Sequence, residues 1–306
     1  MRVEVVAVEQ LRFDDGSPVR AASAMARLGD GWLVAQDDSS HAAWVRPSSV
    51  APVRVFPPVE GLDLFSEADG TKHLKPDVEA ACEVRLADAH AVMLLGSGST
   101  TGRMRGSLVE LDANGPGSSV SSLEGLYGRV AQVLEIGLDD LNLEGACLVG
   151  DRLRWFSRGN LAAGLPSASV DLDLQGLLSA MRGTLDPAAV SVSSPLRYDL
   201  GEVDGVGLAV TDAVALPDGR VLLSAAAEDT PDAVADGPVV ASAIVVVGRD
   251  ELVAVARLPR SGVRVHKIEG LGLLAVQPDR VRLLAVVDAD DPELASSRLE
   301  LEVDWS

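Results

Sequence analysis

The sequence predicts an all-β protein whose repeated hairpins close into a ring. Three observations predict it: one pattern recurs five times, its copies are nearly evenly spaced, and both ends of the chain alternate like strands. In each copy a short apolar run, a turn such as Pro217-Asp218-Gly219 and a second apolar run lead into a polar cluster. Such runs broken by Asp-Gly-type turns are typical of β-hairpins.

The five copies share an opening polar residue beside small ones, which we call the anchor. Successive anchors are 56, 65, 68 and 57 residues apart, and 59 residues separate the last from the first across the termini. Propeller blades of four strands repeat at about 40–60 residues. The sequence therefore predicts one β-propeller domain over residues 1–306 with five blades; a sixth would require a degenerate blade. The anchors are Ser23, Glu79, Glu144, Asp212 and Glu269.

The two ends of the chain explain how the ring closes. "RVEVVAVEQ" (2–10) and "RLELEVDWS" (298–306) both alternate in the manner of strands. An open sheet edge invites aggregation, so the first and last blades of a ring need fastening. We expect the N-terminal strand to complete the final blade.

Two segments interrupt the strand pattern with helical spacing. In 121–137, Ser121 precedes Glu124 by three residues, which is a capping-box pattern. The stretch 173–187 also has helical periodicity and ends near Gly183. We therefore predict helical insertions near 121–136 and 173–183 within the single domain.

Composition limits the partners and the compartment. The formal charge of −20 excludes nucleic acid and an anionic membrane as general partners, because both would be repelled. No apolar run approaches the ~18 residues of a membrane span, and the start lacks a signal-peptide pattern. Cys82 and Cys147 are too few for a disulfide framework and are expected in the core. We expect a soluble, cytoplasmic protein.

The anchors are the first candidate site. Inner strands of blades run along the central channel, so Glu79, Glu144, Asp212 and Glu269 should converge in one tier that Ser23 completes. Converging carboxylates repel one another unless something offsets them, and Ca²⁺, or Mg²⁺ or Mn²⁺, with oxygen ligands would do so. Two alternatives stay open: hydrogen bonding to neighbouring blades with some groups protonated, and acid–base catalysis.

A second set of candidates lies at the rim beside the anchors. The polar clusters follow their anchors by 14 to 19 residues, and the three lysines of the chain all lie within a few residues of an anchor glutamate. We expect these groups to bind a small anionic substrate, although ordinary turn chemistry is an alternative for each cluster. The predicted ligand-binding residues are Asp37, Asp38, Lys75, Ser97, Ser99, Arg103, Arg158, Asn160, Glu228, His266, Lys267 and Asp288.

The anchor motifs also resemble a known group of proteins. Glu79-Ala80-Ala81, Glu144-Gly145-Ala146 and Glu269-Gly270-Leu271 resemble the "EG-small" starts of inner strands in bacterial phytase-like and esterase-like propellers. That resemblance implies calcium and phosphomonoester hydrolysis, and lactonase-like propellers imply a channel metal and sugar lactones.

Longer stretches are similar to an uncharacterised, non-secreted bacterial propeller family. They are "LKPDVEAAC", "LLGSGST", "LNLEGACLVGDRLRWFSRGN" and the closing "DADDPELASSRLELEV". The resemblance spans most of residues 20–303. It implies the blade architecture more than any particular chemistry.

Two functions follow as hypotheses. The acidic tier beside localised basic residues favours a metal-dependent hydrolase that acts on a small anionic phosphate ester, lactone or ester at the channel mouth. The lack of a recognised catalytic motif favours instead a non-catalytic propeller that binds a small ligand or a protein partner.

Overall fold

The computed structural model describes residues 1–86, 89–231, 237–248, 251–260, 265–288, 291 and 294–305, and it shows five antiparallel sheets. Their innermost strands are Ala22–Leu28 (β2), Val78–Arg85 (β6), Leu143–Val149 (β10), Val206–Ala215 (β15) and Ile268–Val276 (β19). Each of these strands contacts the next one around the ring, and β19 contacts β2. The predicted five-bladed propeller is confirmed.

The remaining strands extend each blade outward from its innermost strand. Blade 1 adds β3 (Gly31–Gln36), β4 (His41–Arg46) and β5 (Ser49–Arg54). Blade 2 adds β7 (His90–Gly96), β8 (Arg105–Asp112) and β9 (Gly115–Ser122). Blade 3 adds β11 (Arg152–Ser157), β12 (Ser167–Asp173) and β13 (Val192–Tyr198). Blade 4 adds β16 (Val221–Glu228), β17 (Val239–Val247) and β18 (Leu252–Arg257), with the short β14 (Glu202–Val203) on the channel side.

Blade 5 is completed by the N-terminal strand, as predicted. It consists of β19, β20 (Arg280–Val287), β21 (Ser297–Asp304) and, outermost, β1 (Arg2–Gln10). β1 runs antiparallel to β21. On its inner side Val3 joins the core formed between blades 4 and 5, so the start of the chain is fastened by both hydrogen bonds and apolar packing.

Both helical insertions are present. α1 (Glu124–Leu134) links blades 2 and 3, and α2 (Leu174–Met181) lies between β12 and β13. The predicted capping box is wrong: Ser121 belongs to β9, and its hydroxyl donates to the Met181 carbonyl instead. Ser121 thus makes a hydrogen bond to α2 and does not cap the N-terminus of α1. Neither helix has the length and apolar character needed to cross a bilayer, within the part of the chain described.

Each inner strand contains a β-bulge, which lies near the start of four of the strands and in the middle of β15, and these bulges position the site. In every blade the register shifts by one residue at this point. A bulge leaves one residue outside the ladder and re-aims its side chain. The residues at the shifts are Ser23, Glu79, Glu144 with Gly145, Thr211 and Glu269.

The closure of the ring gives a first testable prediction. Val3 is 6% exposed, whereas Val8, on the same strand, is 55% exposed. Val3→Ala should lower the free energy of unfolding by about 2 kcal/mol, since it removes buried methyl groups and leaves a cavity. Urea unfolding followed by circular dichroism measures this.

Val8→Ala is the matched control and should change stability by less than about 0.5 kcal/mol. Equal effects of the two substitutions would show that β1 does not seal blade 5.

Candidate functional site at one mouth of the central channel

The bulge residues correspond to the predicted anchors in four blades, and in blade 4 the bulge residue is Thr211 in place of Asp212. Ser23 Oγ donates to the Val78 carbonyl of the next inner strand at 2.5 Å, and Thr211 Oγ1 donates in the same way to Ile268 at 2.6 Å. Thr211 therefore occupies the equivalent position in blade 4, one residue before the predicted Asp212. Two of the five bulge residues, Ser23 and Thr211, thus tie neighbouring blades together through hydroxyl groups.

Asp212 is placed deeper in the ring than the glutamates. Its Oδ2 accepts a hydrogen bond from the Leu271 amide at 2.6 Å, and it does not line the cavity at the channel mouth. Burial raises the pKa of Asp212 well above its ordinary value, and Glu144 and Glu269 raise it further. The carboxyl links blade 4 to blade 5, and its role as a metal ligand stays a prediction.

A polar cavity of about 500 Å³ occupies this mouth of the channel. Its volume lies within the range of small-molecule sites. The predicted residues that line it are Asp37, Lys75, Glu79, Ser99, Arg103, Glu144, Arg158, Lys267, Glu269 and Asp288. Those predicted residues that do not line it are Asp38, Ser97, Asn160, Asp212, Glu228 and His266.

Charged groups of blades 1 and 2 form one chain of ion pairs along the wall. Lys75 Nζ contacts a carboxylate oxygen of Asp37 and lies 2.6 Å from Asp77 Oδ1. Arg103 Nη1 lies 3.0 Å from Asp77 Oδ2 and donates to Ser99 Oγ at 2.8 Å. Burial lowers the pKa of Lys75, but Asp37, Asp77 and Glu79 together raise it above its usual value. Lys75 therefore stays charged.

Blades 3, 4 and 5 form a second chain of ion pairs. Arg158 Nη1 lies 3.6 Å from Glu144 Oε1, and its Nη2 lies 2.7 Å from Glu228 Oε1. Lys267 Nζ lies 2.9 Å from both Glu228 Oε1 and Glu269 Oε1. These five side chains are nearly buried, so each pairing offsets a substantial cost of desolvation.

Glu79 lies between the two chains without a partner of its own. Among the described residues it makes no hydrogen bond or ion pair, and its side chain lines the cavity. Burial raises the pKa of Glu79 well above its ordinary value, and the nearby charges of Asp77, Glu144 and Asp37 add to the effect. Burial and the neighbouring carboxylates therefore favour the protonated form of Glu79.

Two other carboxyls of the mouth, Glu269 and Asp37, also have raised pKa values. Burial raises the pKa of Glu269 to about 8 although Lys267 opposes the change. Burial also raises the pKa of Asp37 to about 6 against the attraction of Lys75. Perturbed acids gathered in one cavity are a feature of functional sites, though ion-pair networks produce them too.

The sequence reasoning missed three polar lining residues, Lys72, Asp77 and Asn142, besides Ala21 and Ala22. Asp77 and Asn142 lie two residues before the anchors Glu79 and Glu144, and Lys267 holds the same position before Glu269. The repeated spacing was therefore a usable signal. Lys72, in a single-turn helix before blade 2, also lines the cavity.

The remaining predicted residues lie behind or beside the cavity. Asp38 pairs with Arg20 at 3.4 Å, and Ser97 donates to Asp77. His266 is buried next to Lys267. Within the last polar cluster Asp288 is described, whereas Ala289 and Asp290 lie outside the described residues. Asn160 and Glu228 line a second cavity between blades 3 and 4.

One group of carboxyls meets the spacing of a cation site. Single oxygens of Asp37, Asp77 and Glu79 all lie within 4.8 Å of one another, and hard cations such as Ca²⁺ prefer oxygen donors. Lys75 Nζ bridges two of these carboxyls, however. A bound cation would meet that ammonium group at short range, so the donor atoms fit a cation only if Lys75 moves.

With the fold and the site described, comparison with known proteins places the chain. A family model matches residues 71–292, and its description is a family of unknown function, DUF6910. The chain belongs to this family. The match includes the residues of the ion-paired mouth from Lys72 to Asp288, whereas Asp37 precedes it. No curated protein matches the sequence.

Solved structures similar to this DUF6910 protein share its fold. They include a mannose phosphorylase from Leishmania mexicana in complex with phosphate (TM-score 0.51, 13% identity, covering 99% of this chain and 89% of that one). An endo-arabinanase from Bacillus licheniformis has a TM-score of 0.46 and 11% identity, with 97% of each chain covered. At 13% identity the likeness to the phosphorylase supports the fold alone.

The raised pKa of Glu269 gives a prediction on stability. Its folded value of about 8 exceeds the ordinary 4.5, so the folded state binds more protons between these values. The free energy of unfolding should therefore fall as pH rises through this window, by about 1.4 kcal/mol per unit of pKa difference. Urea unfolding at about pH 5, 6.5 and 8 should show a smaller fall in Glu269→Gln than in the parent.

Glu300→Gln, which removes an exposed carboxyl from the same blade, is the control and should leave the pH dependence unchanged. A slope in Glu269→Gln identical to that of the parent would contradict the assignment.

Proposed function

We propose that the channel mouth binds a small anionic ester and hydrolyses it by acid–base catalysis, with Glu79 as the proton donor. The observation that carries the proposal is the position of Glu79: a cavity-lining carboxyl of raised pKa without a protein partner among the described residues. Every other glutamate of the tier is held by a cationic side chain. A general acid needs its proton near the operating pH, which is what burial provides here.

The charge of the cavity favours an anionic substrate. All three lysines of the chain, Lys72, Lys75 and Lys267, line it together with Arg103 and Arg158. Six carboxyls also line the cavity. When Glu79 and Glu269 hold their protons, five cations face four carboxylates. Glu228 lies behind this lining and is paired with Arg158. In a chain of net charge −20, the lining of the mouth thus repels an anion far less than the average charge of the chain would suggest.

The reaction uses two carboxyls in complementary states. Glu144 accepts a hydrogen bond from Asn142 Nδ2 at 3.1 Å and lies beside Arg158, and its charge acts on Glu79. As base, Glu144 takes a proton from water, whose oxygen bonds to the ester carbon or phosphorus. The bond to the leaving oxygen breaks, and that oxygen receives the proton of Glu79.

Glu79→Gln tests the acid. It should lower kcat/KM by about 100-fold or more, because general acid catalysis contributes 10²–10⁴-fold. Turnover is measured on a panel of phosphate monoesters, carboxylic esters and sugar lactones. The loss should be larger for alkyl than for p-nitrophenyl esters, since p-nitrophenolate leaves without a proton. The decline of kcat/KM at alkaline pH should disappear in the variant.

Glu83→Gln is the matched control, because Glu83 lies on the same strand β6 but lines the opposite mouth of the channel. It should retain full activity. Binding of these anions without turnover of any ester would refute the hydrolase and support a non-catalytic ligand-binding propeller.

A second candidate is a divalent-cation site at Asp37, Asp77 and Glu79, favoured by the spacing of their oxygens. If it exists, Lys75 competes with the ion. Lys75→Met should then raise the affinity for Ca²⁺ or Mn²⁺ at least tenfold, measured by isothermal titration calorimetry. Lys72→Met, which removes a lysine paired with Glu67 at the outer edge of the cavity, should leave it unchanged. No heat of binding in any of the three proteins would rule the site out.

A further inference from the structure

A second cavity adjoins the channel mouth. It has a volume of about 460 Å³ and lies between blades 3 and 4, beside the loop before β14 and the end of β16. Arg158 forms part of the wall of both cavities. Arg158 is 7% exposed, and its guanidinium is held on the two sides by Glu144 and Glu228. This firmly positioned side chain is the lining residue that the two cavities share among the described residues.

The repeat explains why the wall is open here. Two rim positions recur in every blade. The first is the residue two before the bulge residue. The second, on the neighbouring strand, follows the partner of the residue immediately before the bulge residue. In blades 1, 2, 3 and 5 these pairs contain at least one polar or charged residue. They are Ala21 with Asp37, Asp77 with Ser97, Asn142 with Arg158, and Lys267 with Asp288. Blade 4 has Ala209 directly opposite Ala226.

Two methyl groups therefore stand where each other blade places at least one longer polar side chain. Ala209 is half-buried and lines the second cavity, whereas Ala226 is buried beneath it. Blade 4 therefore leaves a gap in the ring of polar side chains at these rim positions, and Ala209 at this gap lines the second cavity.

We propose that the second cavity is a subsite for the alcohol portion of the substrate, and that this portion is hydroxyl-rich and not anionic. The inference rests on the proposed function, because it assigns the anionic portion to the channel mouth. Arg158 would lie beside the bond between the two portions. The substrate class is thus an anionic group that carries a polyhydroxylated tail.

The lining of the second cavity supports this choice of tail. Asp199, Glu202 and Asp229 line it, and Arg158 is the one cation among its described lining residues. A second anionic group would be repelled there. No aromatic side chain offers a stacking surface among those residues, whereas carboxylates and the backbone of Gly205 provide hydrogen-bonding groups. Hydroxyl groups can use both donors and acceptors of this kind.

Two pairs of probes differ by a polyhydroxylated tail: inorganic phosphate with glucose 6-phosphate, and acetate with gluconate. Calorimetric titration gives the dissociation constant of each. We call phosphate and acetate the parent anions. In a pair whose parent anion binds, the probe with the polyhydroxylated tail should bind at least tenfold more tightly than the parent anion. Ala209→Leu fills the gap and should reduce that gain to under threefold without changing the affinity of the parent anion.

Ala215→Leu is the matched control, because Ala215 is half-buried on the same strand but lines the opposite mouth. It should retain the full gain. A gain that survives Ala209→Leu, or an equal gain from a phenyl tail in phenyl phosphate or benzoate, would overturn the subsite. So would a parent anion that binds while its tail adds nothing, and that result leaves the proposed function standing. If no probe of either pair binds, the subsite and the proposed function both fail.

Discussion

The constraint on which this structure depends is the neutralisation of carboxyls that ring closure brings to one axis. Five inner strands meet there, and each has a residue displaced from its ladder by a bulge. Hydroxyls occupy two of these places and bond the next blade, whereas glutamates occupy three. Acids buried this closely must be paired or protonated. The mouth uses both solutions, and the difference between them gives the site its chemistry.

The two chains of ion pairs are also interblade connections. Lys75 joins a carboxyl of blade 1 to the segment that enters blade 2, and Arg158 and Lys267 join blades 3, 4 and 5 through Glu228. Removing one partner would leave a buried charge unpaired, which is strongly destabilising. The same groups therefore stabilise the ring and set the electrostatic potential of the cavity, so the cavity is pre-organised before any ligand arrives.

The network of ion pairs is interrupted at two places, Glu79 and the rim of blade 4. Glu79 has no cation of its own at hydrogen-bonding distance among the described residues, and blade 4 has Ala209 and Ala226 where each other blade has at least one polar residue. The first feature leaves a carboxyl of raised pKa facing the cavity, and the second leaves only short side chains at that part of the rim. Departures from an internal repeat mark the places where a ring of similar blades becomes an asymmetric site.

The sequence by itself determined the blades, the closure by β1 and most of the rim, because strand alternation, Asp-Gly turns and a repeated interval are local signals. The position of the lysines beside the anchors could be predicted from the sequence for the same reason. Only the tertiary structure decided that Thr211 rather than Asp212 joins the tier, since a bulge shifts the register by one residue. It alone decided which acids are paired: Arg158 and Glu228 are 70 residues apart, and they meet because two blades of a closed ring bring them together.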